Sequence, residues 1–533
     1  MFIFYDTETS GLDKNFSQIL QIAMVFTDSD FNVMASNKIE CRCSPWVVPT
    51  PGALLTTGFV PDEMKFNPHS HYEMMREIDK WIRDKHWPLT FVGYNSVSFD
   101  EPVLAQNLYQ NLFDPNLTSS GNQINGQVNG CADVMLMVQA VMTYMPGTLN
   151  LKTKTANGNP SLKLINIAKQ NGVTLSDEEA HDAMNDIKAT VGVAKLIKKV
   201  APAIWQQLLG LSTPNGVQKF IDAHEIFAYT DTHYGKMRSA IVTALPQKAN
   251  ARAQALYNLD FDPTPYLNMT AAQLKALLLS GDKQKPLSLI NKPSPVLMPI
   301  DMADAVMPAH YNEKLYTERA QKIKSHATFM ENLQKAVEMA TRSQLMPTPS
   351  VPEFSIDQQA PDALRPRLEQ WMRDFKSAPN WKAAALILKD FYARFKEELA
   401  QDVTLSRYAK LAGRIIFENA PQELSMDKNL AMKKHIAARV LNPDINAPYT
   451  TVLKARRELE AIEKERADGK KWQEVTDSQI RTLKLYYTSI EKIYSPYLSR
   501  PPINDNPSVT DSNTTDANIK PIIPPAPPGA AAA

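Results

Sequence analysis

Four carboxylates and one imidazole stand out in the first 186 residues: Asp6, Glu8, Asp100, His181 and Asp186. Asp6 and Glu8 lie two apart, directly after the apolar run Phe2-Ile3-Phe4-Tyr5. A strand that continues through them sends both side chains to one face. Asp100 closes the string Gly93-Tyr94-Asn95-Ser96-Val97-Ser98-Phe99-Asp100, and Asp186 closes His181-Asp182-Ala183-Met184-Asn185-Asp186. Four acids drawn together from three segments repel one another unless cations neutralise them. Hard divalent ions that want oxygen ligands suit the task, two Mg²⁺ with Mn²⁺ as a substitute. Held roughly 4 Å apart, such a pair clamps the attacking and leaving oxygens of a phosphodiester. His181, with an ordinary pKa of about 6.5, is then a base for the attacking water. The chemistry these residue types offer is metal-dependent phosphodiester hydrolysis. His181 and Asp186 are five apart, a poor spacing for one helical face. The geometry works best with His181 just before the first turn and Asp186 within it.

Each residue alone has a plainer reading. An Asp-x-Glu at a strand end is usually a solvated pair. Asp100 reads equally as a helix N-cap, because Pro102 suits a first turn. His181 reads as a cap or a surface histidine, and Asp186 as a first-turn acid favoured by the helix dipole. These readings lose weight only when all five residues occur in this order.

The elements that must position them alternate between strand and helix over residues 1–200. Phe2–Tyr5, Ile19–Phe26 and Val33–Cys43 read as strands, and Leu89–Gly93 as a short one. Helices are expected at Tyr72–Arg83, Leu162–Gln170 and Ile187–Lys199, with a capping box at Ser176 and Glu179. Beyond residue 200 the pattern changes. Ile221–Tyr229, Ser239–Thr243 and Tyr257–Asp262 alternate like antiparallel strands, and from Pro361 to Leu498 long helical periods dominate, such as Leu386–Ala400 and Thr451–Ala467. Residues 501–533, rich in Pro, Ser, Asn, Thr and Ala, lack the apolar content for a core.

Composition bounds the class. The chain has 533 residues, 44% hydrophobic and 22% charged, too many for one core and ordinary for a globular protein. A net charge of +1 excludes indiscriminate coating of nucleic acid but leaves room for a local basic groove. Three cysteines, Cys41, Cys43 and Cys131, without a CxxC pair, describe neither a disulfide scaffold nor a zinc site. No long apolar run suggests a membrane span, and no leader is read at the N-terminus. A cytoplasmic, reducing location is expected.

The strings Asp6-Thr7-Glu8, Asn95-x-x-x-Phe99-Asp100 and His181-x-x-x-x-Asp186 resemble the three motifs of the DEDDh 3′→5′ exonucleases, and the longer strings around them resemble the bacterial branch that acts on single-stranded DNA. The resemblance implies an α/β fold: a ribonuclease H-like exonuclease domain at 1–200, an SH3-like β-rich domain at 201–350 and a helical domain at 351–500; the Pro/Ala-rich tail at 501–533, expected from its composition to be disordered, has no counterpart in the family. By matching position it makes Asp6, Glu8, Asp100 and Asp186 the ligands of two Mg²⁺ ions and His181 the general base. Thr7 and Glu8 would lie beside the terminal nucleotide. Lys163 stands where the family is expected to carry Arg, which exchanges a bidentate fork for a point charge. The resemblance further implies a monomer, binding of single-stranded DNA and of single-strand DNA-binding protein, and work in repair and recombination.

Tyr234-Gly235-Lys236-Met237-Arg238 combines an aromatic ring with cations, which suits base stacking and phosphate contact through Tyr234, Lys236 and Arg238. It reads equally as an exposed sheet edge. Lys195, Lys198 and Lys199 read best as a solvated helix face. Two other functions stay open, an RNA-trimming or proofreading exonuclease and a single-strand-binding protein without activity. The long region after residue 200 disfavours a small RNA trimmer, and the intact set of acids disfavours the binding protein.

Overall fold

The apolar run at the N-terminus becomes the central strand of a five-stranded sheet in the computed structural model, which describes residues 1–155, 158–173, 182–233, 236–247, 253–282, 285–290, 293–343, 353, 364–402 and 405–498. Strands β1 (Phe2–Thr9), β2 (Ile19–Thr27) and β3 (Val33–Glu40) form an antiparallel meander. On the other side of β1 lie β4 (Thr90–Gly93) and, after a small hairpin of β5 (Gln123–Ile124) and β6 (Gln127–Val128), β7 (Gly130–Asp133), both parallel to their neighbours. The order is β3-β2-β1-β4-β7.

Alternation along β1 divides its residues between two cores. Phe2 and Phe4, with Ala23 and Val25 of β2, face the helices Val134–Tyr144 and Ala183–Val200. Ile3 and Tyr5, with Ile22 and Met24, face the helices His71–Arg83 and Asp100–Gln110. A strand covered on both faces carries apolar residues continuously, which is why Phe2–Tyr5 has no polar alternation.

The second sheet is antiparallel throughout, in the order β11 (Leu287–Ile290), β10 (Gln254–Asn258), β9 (Lys236–Ala244), β8 (Phe227–His233), β12 (Val296–Pro299). It shares a core with the Phe2/Phe4 face and with the helices Glu313–Ser325 and Ala327–Ser343. The helices Arg365–Lys376, Trp381–Arg394 and Ser406–Asn419 pack onto the core of the Ile3/Tyr5 face. A third core joins Trp46, Val48 and Leu54 to the helices Met426–Val440, Val452–Ala467 and Asp477–Tyr494. Among the described residues no helix is long and apolar enough to cross a membrane.

Several expected elements shift. Ile221–Ala223 end the helix Pro214–Ala223, which Thr213 caps through the Gly216 N–H, so that strand begins only at Phe227. The strand expected at Tyr257–Asp262 ends at Asn258, and Asp262 instead accepts the Thr264 N–H in a turn. Leu386–Ala400 is two helices, broken at Phe395, whose ring is buried. Leu162 precedes its helix, which starts at Leu164, because its carbonyl takes the Tyr94 hydroxyl at 2.6 Å. The capping box at Ser176 and Glu179 lies outside the described residues.

Candidate active site

The face of β1 that carries Phe2 and Phe4 continues into Asp6 and Glu8, and the helix packed against that face carries Asp186 in its first turn. One carboxylate oxygen from each of Asp6, Glu8 and Asp186 lies within 4.8 Å of the other two. The helix starts at Ala183, with Asp182 as its N-cap accepting the Met184 N–H at 3.0 Å. A register shift between Glu8 and Thr9 ends regular pairing at the site.

Asp100 reaches the group differently. It is in the first turn of its helix, where Phe99 holds the N-cap position, so it is not the cap. Its Oδ1 accepts the Thr7 hydroxyl at 2.5 Å, on the face of β1 opposite Asp6 and Glu8. It nevertheless supplies the strongest of the neighbouring charges acting on Asp6.

The loop leading to Asp100 is held by a residue that the motifs do not include. Asp133, at the end of β7, accepts the N–H groups of Asn95 (2.8 Å), Val97 (3.2 Å) and Met135 (2.9 Å). Asn95 has a positive φ of 64°, a conformation Asn tolerates better than most residues. Behind the site, buried Glu101 accepts the Tyr5 hydroxyl at 3.0 Å and the Thr118 hydroxyl at 2.9 Å. An Asp directly before the apolar run Val134-Met135-Leu136 is a readable N-cap signal. Glu101 offers no comparable local signal.

Burial and mutual repulsion act in one direction on these acids. Asp6 is raised well above the usual carboxylate range, by burial first and then by Asp100, Asp186 and Glu8. Glu8 is pushed up to about 8 by burial and by Asp186 and Asp100. Burial pushes Asp100 up to about 7, against the Thr7 hydrogen bond that favours its anion. A half-buried, oxygen-only donor set short of positive charge fits hard divalent cations.

His181 and Tyr234 lie outside the described residues, as does the side chain of Lys236. Lys163 is exposed at the N-cap position of Leu164–Gln170, next to the Leu162 carbonyl that Tyr94 holds. Arg238 sits on β9 opposite Asp231, in the second sheet, and lines a cavity of about 160 Å³ shared with Asp260, Asp282 and Lys285. Lys198 pairs with Asp30 at 3.0 Å, as a solvated helix face would.

Residues 3–194, which hold this sheet, its flanking helices and its carboxylates, match the family model described as Exonuclease. The curated relatives it resembles are exodeoxyribonucleases I. It is 28% identical to the Escherichia coli protein over 287 residues, 52% of this chain and 58% of that one. With the Haemophilus influenzae protein it shares 28% over 315 residues, 56% and 64% of the two chains. With one Buchnera aphidicola protein the match spans 49% of the relative, so these alignments cover about half to two thirds of the relatives' length. Solved structures extend the likeness of fold. Exonuclease I from Methylocaldum szegediense superposes with a TM-score of 0.72 at 20% identity, covering 92% of this chain and 99% of that one. Escherichia coli exonuclease I in complex with an oligonucleotide gives 0.69 at 21% with the same coverage.

Proposed function

We propose that this chain is a 3′→5′ exonuclease that hydrolyses single-stranded DNA to nucleoside 5′-monophosphates, in DNA repair and recombination. The observation that carries the reading is the cluster of Asp6, Glu8 and Asp186 oxygens within 4.8 Å, built into an exonuclease domain. The exonuclease I relatives, some solved with DNA oligonucleotides, support DNA as the substrate.

Asp6, Glu8, Asp100 and Asp186 would hold two Mg²⁺ ions, and Mn²⁺ would substitute. Bound there, divalent ions ease deprotonation of water and stabilise charge on the attacking and leaving oxygens. Asp6 and Glu8 fix the site on a rigid strand, and Asp186 closes it from the helix. Thr7 orients Asp100 and favours its anion against burial. His181 takes the proton of the attacking water. Thr7 and Glu8 would flank the terminal nucleotide, and Lys163, Tyr234, Lys236 and Arg238 would line the path of the strand.

Residues 1–200, 201–350 and 351–500 would act as exonuclease, SH3-like and helical domains of a cytoplasmic monomer, followed by the tail at 501–533. One solved relative is an SSB/exonuclease I structure in complex with an inhibitor, which supports single-strand DNA-binding protein as a partner. Digestion of matched single-stranded DNA, duplex DNA and RNA in Mg²⁺ tests the reading. Release of mononucleotides from single-stranded DNA alone is expected, and preferential cleavage of RNA would overturn it in favour of an RNA-trimming enzyme.

A further inference from the structure

The helix that delivers Asp186 is tied at its first turn to β2 and β3, the two strands beside β1 on its antiparallel side. Asp182 caps it twice over, with Oδ1 on the Met184 N–H at 3.0 Å and its backbone carbonyl on the Asp186 N–H at 3.1 Å. The other carboxylate oxygen of Asp182 accepts from the ammonium of Lys38 on β3. Gln21 on β2 makes the second tie. Its Oε1 accepts the Ala183 N–H at 3.0 Å while its Nε2 donates to Glu40 at 2.7 Å. Glu40 lies 4.0 Å from the same Lys38 ammonium. Gln21 is the register partner of Glu8 on β1. The network therefore runs from one carboxylate's strand, across the sheet, to the helix end that bears another.

We infer that Lys38, assisted by Gln21, is a positioning residue that sets the first turn of the Asp186 helix against Asp6 and Glu8. Lys38 acts through Asp182, which accepts from its ammonium and caps the helix. Its charge does a second job. Asp182 is a further acid felt by both Asp6 and Glu8. The paired ammonium offsets that charge, leaving the cluster as the preferred seat for a cation. Outer partners of this kind hold ligands in place, and their loss costs about 10–100-fold in metal affinity or activity.

The inference rests on the carboxylate site having the role proposed above, so its test reads metal binding separately from cleavage. The full chain, stripped of metal, is compared with Lys38→Met, Lys38→Arg, Asp182→Asn and the Lys38→Met/Asp182→Asn double variant. Lys38 is 36% exposed at its side chain, which lets Met keep the stem without disturbing a core. One readout is the Mn²⁺ concentration giving half the maximal rise in Tm without DNA. The other is kcat and KM on single-stranded DNA.

Lys38→Met is expected to raise the half-saturating Mn²⁺ about tenfold and to lower kcat about tenfold with KM unchanged. Lys38→Arg should restore most of both. The double variant should be no worse than the poorer single one, because both remove the same tie. Overturning results are a wild-type Mn²⁺ response in Lys38→Met, a lower metal-free Tm with that response intact, or additive losses in the double variant. A wild-type chain that responds to Mn²⁺ yet cleaves nothing would refute the proposed function, while the Mn²⁺ response of Lys38→Met would still decide the positioning role of Lys38.

Discussion

The Thr7 hydroxyl donates to Oδ1 of Asp100 at 2.5 Å, joining a strand and a helix that lie 93 residues apart. The bond favours the Asp100 anion, which burial otherwise disfavours. Thr7→Val keeps the branched shape and removes the donor. The acid limb of the kcat–pH profile is expected to move up by about one unit, since a hydrogen bond to a charged group contributes about 1.5–3 kcal/mol. An unmoved limb would show that Thr7 does not tune Asp100.

The raised carboxylates predict how stability follows pH without metal. Glu8, at about 8, and Asp100, at about 7, stay protonated in the folded chain at a pH where the unfolded chain has released those protons. The folded state thus binds more protons, and stability falls as pH rises through this window. Buried His71, lowered to about 4, acts in the opposite sense but only below its unfolded value of about 6.5. Between about pH 6.5 and 8.5 the metal-free Tm is expected to fall, and Glu8→Gln should flatten the slope. The rise in Tm on adding Mn²⁺ should be larger at the alkaline end, where protons compete less. Equal slopes in wild type and Glu8→Gln would contradict this.

Gly93 closes β4 at the start of the loop that leads to Asp100. A Cβ there would meet the Ser96 Cβ at 2.4 Å and the Tyr5 carbonyl oxygen at 3.2 Å. Gly93→Ala should destabilise the chain by about 1–3 kcal/mol, the usual cost of overpacking. Activity should fall further than stability at permissive temperature, because the strained loop ends in Asp100. Thermal melting beside a cleavage assay checks both, and an unchanged Tm would show that the loop has room.

Glu353 is 1% exposed and accepts from Arg414 at 2.5 Å, with Arg439 at 3.1 Å. Burial alone would raise its pKa, but the two guanidiniums hold it down at about 2. Glu353→Ala leaves two buried cations facing each other and should cost about 3–5 kcal/mol. The wild-type contribution is present above about pH 4.5 and is lost as pH falls toward 2. An unchanged Tm at pH 7 would show that the two arginines do not depend on this carboxylate.

What the sequence made legible follows from how local each signal is. Phe2–Tyr5 and Ile19–Phe26 announce buried strands by unbroken apolar runs, and the helical period at Tyr72–Arg83 announces the helix His71–Arg83. The grouping of Asp6 and Glu8 with Asp186 follows from strand alternation plus a helix packed on that face. Lys38, Gln21 and Glu353 carry no local signal, because their partners lie far along the chain. Alternation misled at Ile221–Tyr229, where a capped helix and a strand meet at a boundary that a period of two does not mark.

Cleavage of end-labelled single-stranded DNA in Mg²⁺ by the wild-type chain and by Asp186→Ala tests the central claim most directly. A 5′ label should report progressive shortening, and a 3′ label should leave at once as mononucleotide. Asp186→Ala should abolish both while still binding the strand, since the residues proposed to line its path, Lys163 and Arg238 among them, lie on other elements than Asp186. Release beginning at the 5′ end, or cleavage by Asp186→Ala at the wild-type rate, would contradict the account.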